Sequence, residues 1–300
     1  MDTLSFSAAL LSALLHASWN AAVKAHPSPR EAMAAQMIGA AVIAALGLVV
    51  TGLPPPAAWP WVAVTVVASI ASVSALLRAY RSGGFGTVYP VARAVGVLCV
   101  LGVAPALFGE PLAAGVTAGV LMVAFALVLL TWDARRTVAT AVGATGTGLG
   151  AAPGGRGLAH GFPPSALGWT LVAGFMVAAG ALGDAQGVRR GGDAFAYGFA
   201  VSVVNAVVMA WLTRDVGAPW TILRRHARLT LPVALASTAS YLLILWVYTR
   251  APIAPASALR DTSALFAMVI AALWLKERFG PVRLAALLIA LAGVALLRLG

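Results

Sequence analysis

Apolar runs of about 20 residues alternate along this chain with short polar or breaker-rich stretches, and that length matches a helix crossing a bilayer core. Ten runs are legible, at 4–24, 31–52, 59–81, 86–108, 111–131, 164–186, 193–213, 229–249, 253–275 and 280–298. HPSP follows the first, GLPPP the second, SGGFG the third and RAPIAP the eighth. Clusters of proline and glycine end helices. Only GEP parts the fourth and fifth runs, and KERFGP the ninth and tenth, so each pair is expected to form an antiparallel hairpin. An outer-membrane barrel would instead show alternating strands of about ten residues. The pattern predicts an all-α membrane protein with ten transmembrane helices.

One connection is long. Residues 132–163 are rich in Gly, Ala and Thr, lack periodicity and read as a flexible linker. The expected organisation is a five-helix repeat at 1–131, the linker, and a second five-helix repeat at 164–300. An odd number of spans per half makes the second half enter the membrane in the opposite sense. The halves also echo one another. A shift of 167 lays Arg93 on Arg260 and Glu110 on Glu277; a shift of 168 lays Ser69 on Ser237, Ser72 on Ser240 and Tyr80 on Tyr248. Echoed sequence in opposite orientation is the inverted-repeat arrangement of many secondary transporters.

Composition agrees. Of 300 residues 61% are hydrophobic and 10% charged, against about 25% charged in soluble domains. The net charge of +11 does not point to nucleic acid, because the basic residues sit at the ends of apolar runs rather than on one soluble face. Of 20 lysines and arginines, fourteen fall in connections after odd-numbered spans, four on the other side and two inside spans. The positive-inside rule then predicts a cytoplasmic central linker and both termini outside. Only MDT precedes the first run, so that run is expected to remain as a helix. The single cysteine, Cys99, allows no intrachain disulfide and no Cys-based metal site.

LLHASWNAAVK in the first run, AYRSGGFGTVYPVAR leading into the fourth, GEP after it, and LRDTSALFAMVIAALWLKERFGPVRLAALLIALAGVALLRL at the end carry a resemblance. The chain resembles the EamA-type permeases of the drug/metabolite transporter superfamily. The resemblance implies two inverted five-helix repeats and alternating access around a central cavity. It also implies a transporter that exports amino acids, other metabolites or drugs, or in some members imports them. Cytoplasmic termini are usual in that family, so the charge count here departs from it.

Arg93 and Arg260 lead the candidate substrate contacts. A charge inside a span costs about 2.5–3.5 kcal/mol on insertion scales, and arginine's planar fork suits a carboxylate or phosphate. The competing reading is a structural bond to backbone carbonyls or to a carboxylate such as Asp261. Tyr89-Pro90 and Pro252/Pro255 stand at the entrances of the same two helices, as helix starts or as breaks, and Tyr89 is a further candidate substrate contact. In the first run His16, Trp19, Asn20 and Val23 share one face. Trp19 and Asn20 are candidate substrate contacts or parts of an interhelical seam. Tyr241, deep in its run, is the best cavity candidate among the tyrosines, and those near span ends read as interfacial anchors. Asp184, in GALGDAQG near the end of the sixth run, Asp261 and His16 are candidates for proton coupling. Gly115 and Gly119 form a GxxxG pair for close packing, inside the molecule or in a homodimer.

Other classes fit less well. HExxH is absent, a GxGD site is only half present at Gly183-Asp184, and His16, His26, His160 and His226 lie scattered, with no catalytic constellation. No P-loop is present, so the driving force should be a proton or substrate gradient rather than ATP bound by this chain. The expectation is a secondary exporter of a small polar metabolite, amino-acid-like or anionic, in the inner membrane, without cofactor or metal. A drug exporter or an importer of the same fold is the alternative, and an intramembrane enzyme is remote.

Overall fold

The computed structural model describes residues 1–82, 85–145, 164–212, 214, 218–275 and 280–299. In chain order the helices are α1 (Thr3–Lys24), α2 (Pro29–Thr51), α3 (Trp59–Tyr80), α4 (Phe85–Phe108), α5 (Ala114–Thr145) and α6 (Pro164–Gly191). There follow α7 (Ala194–Leu212), α8 (Pro219–Arg225), α9 (Ala227–Tyr248), α10 (Ile253–Asp261), α11 (Ser263–Leu275) and α12 (Pro281–Leu299). Among the described residues ten segments are long and apolar enough to cross a membrane, with α10 and α11 sharing one, and no strand is present.

Local chemistry sets the helix ends. Asp2 caps α1, its Oδ1 accepting from the Ser5 amide at 2.9 Å and its Oδ2 from the Ser5 hydroxyl at 2.6 Å. Pro29, Pro219 and Pro281 open α2, α8 and α12, where a proline's missing N–H is harmless. Gly52, Gly109 and Gly192 follow α2, α4 and α6 with φ of 75°, 62° and 71°, a region that favours glycine.

Four boundaries differ from the sequence reading. Helix α5 runs past residue 131 to Thr145, and 146–163 lies outside the described residues, as does the KERF turn at 276–279. Helix α6 runs on to Gly191, which places Asp184 about two turns inside it. Helix α4 begins at Phe85, so Pro90 is internal rather than a first-turn residue; packed neighbours in a membrane let a helix carry such a proline. The ninth span is two helices. At the break the Thr262 amide lies 3.3 Å from both the Ala258 and Leu259 carbonyls, and the Thr262 hydroxyl donates to the Leu259 carbonyl at 2.5 Å. A hydroxyl bonding back into the preceding turn bends a helix.

The chain forms two compact units, Met1–Ile70 with Gly180–Glu277, and Ala71–Ala179 with Arg278–Gly300. Each draws on both halves of the sequence, and two of the three boundaries fall inside α3 and α6.

In the first unit α1 lies along α9, α10 and α11, and α2 along α7 and α9. Lipid is as apolar as leucine, so close backbone approach and interhelical hydrogen bonds hold such helices. The hydroxyls of Ser12 and Ser240 each donate to the other's carbonyl, at 2.6 and 2.7 Å, with both serines fully buried. Gln36 donates to Ser237 at 2.7 Å, and Asn205 to Ser69 at 3.3 Å. Gly47 admits the Phe199 ring, and a Cβ there would lie 2.4 Å from it.

In the second unit α5 packs along α4 and α12. A Cβ on Gly119 would meet the Gly293 carbonyl at 2.8 Å. This face of the GxxxG pair is therefore spent on a contact within the chain. Gly174 meets α4 in the same way, a Cβ there falling 2.8 Å from the Ala92 carbonyl. Arg78 lies over the Trp169 ring at 4.8 Å.

Candidate functional site

A buried polar cluster in the first unit gathers side chains from five helices. It starts from Gly183-Asp184-Ala185-Gln186-Gly187 on α6. The two glycines make its room: a Cβ on Gly183 would stand 2.9 Å from the Thr65 hydroxyl, and one on Gly187 would stand 2.1 Å from the Tyr197 ring. With neither present, Thr65 of α3 and Tyr197 of α7 reach the carboxylate between them.

Asp184 is buried. Its Oδ1 accepts from Tyr241 at 2.8 Å, from Thr65 at 3.0 Å and from Tyr197 at 3.5 Å. The Thr65 and Tyr197 oxygens lie 3.0 Å apart, and the Tyr197 hydroxyl also lies 3.4 Å from the Gly183 carbonyl. A carboxyl buried this deeply needs such partners. All three hydroxyls converge on one oxygen; among the described residues no hydrogen bond reaches Oδ2.

Tyr241 links this carboxyl to Arg260. Its hydroxyl is bound to Asp184, and its ring centroid lies 5.8 Å from the Arg260 guanidinium carbon. That separation gives a weak cation–π contact. The Arg260 Nε is buried and has no hydrogen-bond partner among the described residues. Arg260 occupies the last turn of α10, where a cation suits the helix dipole.

Behind it α10 is pinned. The Tyr248 hydroxyl lies 3.0 Å from the Ser257 hydroxyl. Arg189 donates to the Tyr248 carbonyl at 2.9 Å and to the Ala251 carbonyl at 3.1 Å. Tyr248 is thus a buried packing residue and not the interfacial anchor its position implied.

Of the sequence candidates, the structure brings together Asp184, Tyr241 and Arg260. Asp261 is buried at the end of the same helix. His16 and Trp19 meet edge to face at 5.2 Å, and the Asn20 amide donates back to the His16 carbonyl at 2.7 Å. Trp19 packs on the Val23–Ala32–Val233 cluster, with its Nε1 buried and without a hydrogen-bond partner among the described residues. Arg93 belongs to the second unit. It donates from Nε and Nη2 to the Tyr89 hydroxyl, at 3.2 and 3.1 Å, one helical turn away. Sequence reasoning missed Thr65, Tyr197 and Gly187. The GxxxG spacing of Gly183 and Gly187 was the available signal, since it marks a place where other helices come close. It also missed that two of the four histidines are neighbours: His26 and His226 have ring centroids 4.9 Å apart.

Residues 164–299 match the model of the EamA-like transporter family. Among solved structures 23 chains match. One crystal structure of a protein is 17% identical, covers 99% of this chain and 96% of that one, and superimposes with a TM-score of 0.67. At that identity the likeness concerns the fold alone. No curated protein sequence matches the chain.

Proposed function

We propose, from the match of residues 164–299 to the EamA-like transporter family model and ten apolar helices long enough to cross a membrane among the described residues, that this chain is a secondary active transporter in the inner membrane. It moves a small polar metabolite outward by alternating access, using two inverted five-helix repeats. The observation that carries the reading is the buried Arg260 Nε, which has no partner among the described residues, linked through Tyr241 to a carboxyl whose second oxygen receives no hydrogen bond among them. A buried donor left unsatisfied costs about 1–3 kcal/mol, more when charged. A substrate anion would relieve that cost.

The two unfilled positions carry opposite charge, which favours an amino-acid-like zwitterion over a simple anion. Arg260 takes the carboxylate and Asp184 the ammonium. The ammonium needs Asp184 ionised, so substrate and proton compete for it. That competition is proton exchange, with the sign an exporter driven by an inward proton gradient requires. A purely anionic substrate would give the opposite sign, because an added negative charge beside Asp184 favours its protonation.

The test is efflux from proteoliposomes, with substrates found by profiling metabolites in the medium of overexpressing cells. Arg260→Ala should abolish flux. Asp184→Asn should remove stimulation by an inward proton gradient. Unchanged flux in Arg260→Ala protein that is correctly inserted would refute the reading.

A further inference from the structure

One end of the first unit carries charge that the substrate reading leaves unused. Helix α6 closes there on Arg189 and Arg190, residues 249–252 turn α9 into α10, and α3 begins. Arg189 ties two of these connections together through its bonds to the Tyr248 and Ala251 carbonyls. A Cβ on Gly191 would stand 3.4 Å from the Ala58 Cβ, which brings the α2–α3 connection alongside. The other two guanidiniums each lie over an indole. The Arg190 guanidinium carbon is 5.0 Å from the Trp61 ring centroid, and that of Arg250 is 4.4 Å from the Trp246 centroid. Both arginines are exposed and both tryptophans half-buried.

Stacking leaves these cations able to bind. A guanidinium is planar, with its N–H bonds in the plane. Held face-on over a ring that attracts it, it keeps its N–H edges for an anion, and a phosphate can take two of them at once. No hydrogen bond or ion pair reaches Arg190 or Arg250 among the described residues. The acids at this end are spent on helix caps. Ser12 meets Ser240, and Trp19 meets the cluster holding Val233, so α1 runs antiparallel to α9 and starts at this same end. Its cap, Asp2, is bound by Ser5. Asp193, in the α6–α7 turn, accepts from the Phe195 amide at 2.7 Å. Residues 52–62 and 246–253 hold no acid. Of the four basic residues on the side of the chain poor in positive charge, three gather here: Arg189, Arg190 and Arg250. The positive-inside rule gives no reason for that gathering. The depth is that of lipid headgroups, because all these connections end membrane-length helices and tryptophan settles at the headgroup level.

We propose that this end of the first unit is a binding site for the headgroup of an anionic phospholipid. Arg190 and Arg250 fork onto lipid phosphate, Trp61 and Trp246 hold their guanidiniums at headgroup depth, and Arg189 fixes the turn that carries Arg250. A zwitterionic headgroup offers the same phosphate but brings an ammonium beside it, so a net-negative lipid is preferred. The site is independent of the substrate reading above.

The test is photo-crosslinking of the full-length protein in nanodiscs. The probe is phosphatidylglycerol with a diazirine at the glycerol end of one acyl chain, and adducts are mapped by peptide mass spectrometry. They should appear in the peptides holding residues 57–62, 189–193 and 246–252. Unlabelled phosphatidylglycerol should compete for them on the order of tenfold better than phosphatidylcholine, since each basic residue near a membrane surface adds a several-fold preference for anionic lipid. Arg190→Gln/Arg250→Gln, changed at exposed positions, should fold with the wild-type melting temperature and lose that preference. Arg190→Lys/Arg250→Lys keeps both charges without the forks and should retain only part of it. Arg224→Gln/Arg228→Gln removes the same charge from the other end of α9 and should leave it intact. Absence of adducts from these peptides, equal competition by the two lipids, an unchanged preference in the Gln or Lys variant of Arg190 and Arg250, an equal loss in Arg224→Gln/Arg228→Gln, or displacement of the probe by inorganic phosphate would each overturn the site.

Discussion

Replacing Gly187 by alanine is the sharpest probe of how the carboxyl site is built. The new Cβ would lie 2.1 Å from Tyr197 Cε2, 2.3 Å from Cζ and 2.7 Å from the hydroxyl oxygen. Carbon atoms rest at about 3.5–4.0 Å, so the ring must withdraw by about 1.5 Å. Tyr197 is fully buried and has no open direction to take. Withdrawal carries its hydroxyl away from Thr65, now 3.0 Å distant, and from Asp184, now 3.5 Å distant. Overpacking costs about 1–3 kcal/mol, and stranding a buried hydroxyl about 1–3 kcal/mol more. The sum, about 2–6 kcal/mol, should lower the melting temperature by on the order of 10 °C. The assay is thermal unfolding of purified protein followed by tryptophan fluorescence. Gly102→Ala, where a Cβ meets nothing within 4 Å, is the control and should not destabilise. On a Tyr197→Ala background the Gly187→Ala penalty should nearly vanish, since the ring it strikes is gone. Equal penalties on the two backgrounds, or a Gly187→Ala melting point within about 1 °C of wild type, would refute the reasoning.

Other expectations follow from the same structure. Arg93→Ala should insert and fold yet lose transport, and vesicle flux equal to wild type would remove Arg93 from the substrate contacts. Gly293→Val should destabilise by about 1–3 kcal/mol or more, because a Cβ there already falls 2.9 Å from the Gly119 carbonyl; an unshifted melting curve would contradict the close α5–α12 crossing. Hydrogen bonds from Ser5, its hydroxyl first and then its amide, hold the Asp2 carboxyl below the usual carboxylate range. A lowered folded value means that the cap's contribution is present above the unfolded value, about 3.9, and is lost as pH falls through the folded one. Exchange at the Ser5 amide should quicken over that acid range in wild type and show no such step in Asp2→Ala.

The ten spans were legible because bilayer thickness writes itself into apolar run length, and because Pro29, Gly52, Pro252 and Pro281 mark ends in a way that survives folding. Asp184 and Arg260 could be singled out because a charge in an apolar run is conspicuous wherever it lies. Their surroundings were not legible. Thr65 and Tyr197 look like ordinary span residues, and only the depth of the α6 groove at Gly183 and Gly187 turns them toward Asp184. The meeting of His26 with His226 was hidden for a different reason. Two hundred residues part them, and their pairing depends on α2 and α9 lying side by side, which no local pattern encodes. The break at Thr262 was missed because the run 253–275 is long enough to be read as one span, while the interruption involves one hydroxyl turning back on its own helix.

The paired serines of α1 and α9 have a mechanical consequence. Because each hydroxyl seizes the opposite main chain, sliding either rod lengthwise by a single residue, about 1.5 Å, would strain both tethers at once. These rods should therefore ride as one piece through any transport cycle. The give must come from elsewhere, and the turn around Thr262, where one amide is shared between two carbonyls, is a place where the backbone ladder already departs from regularity.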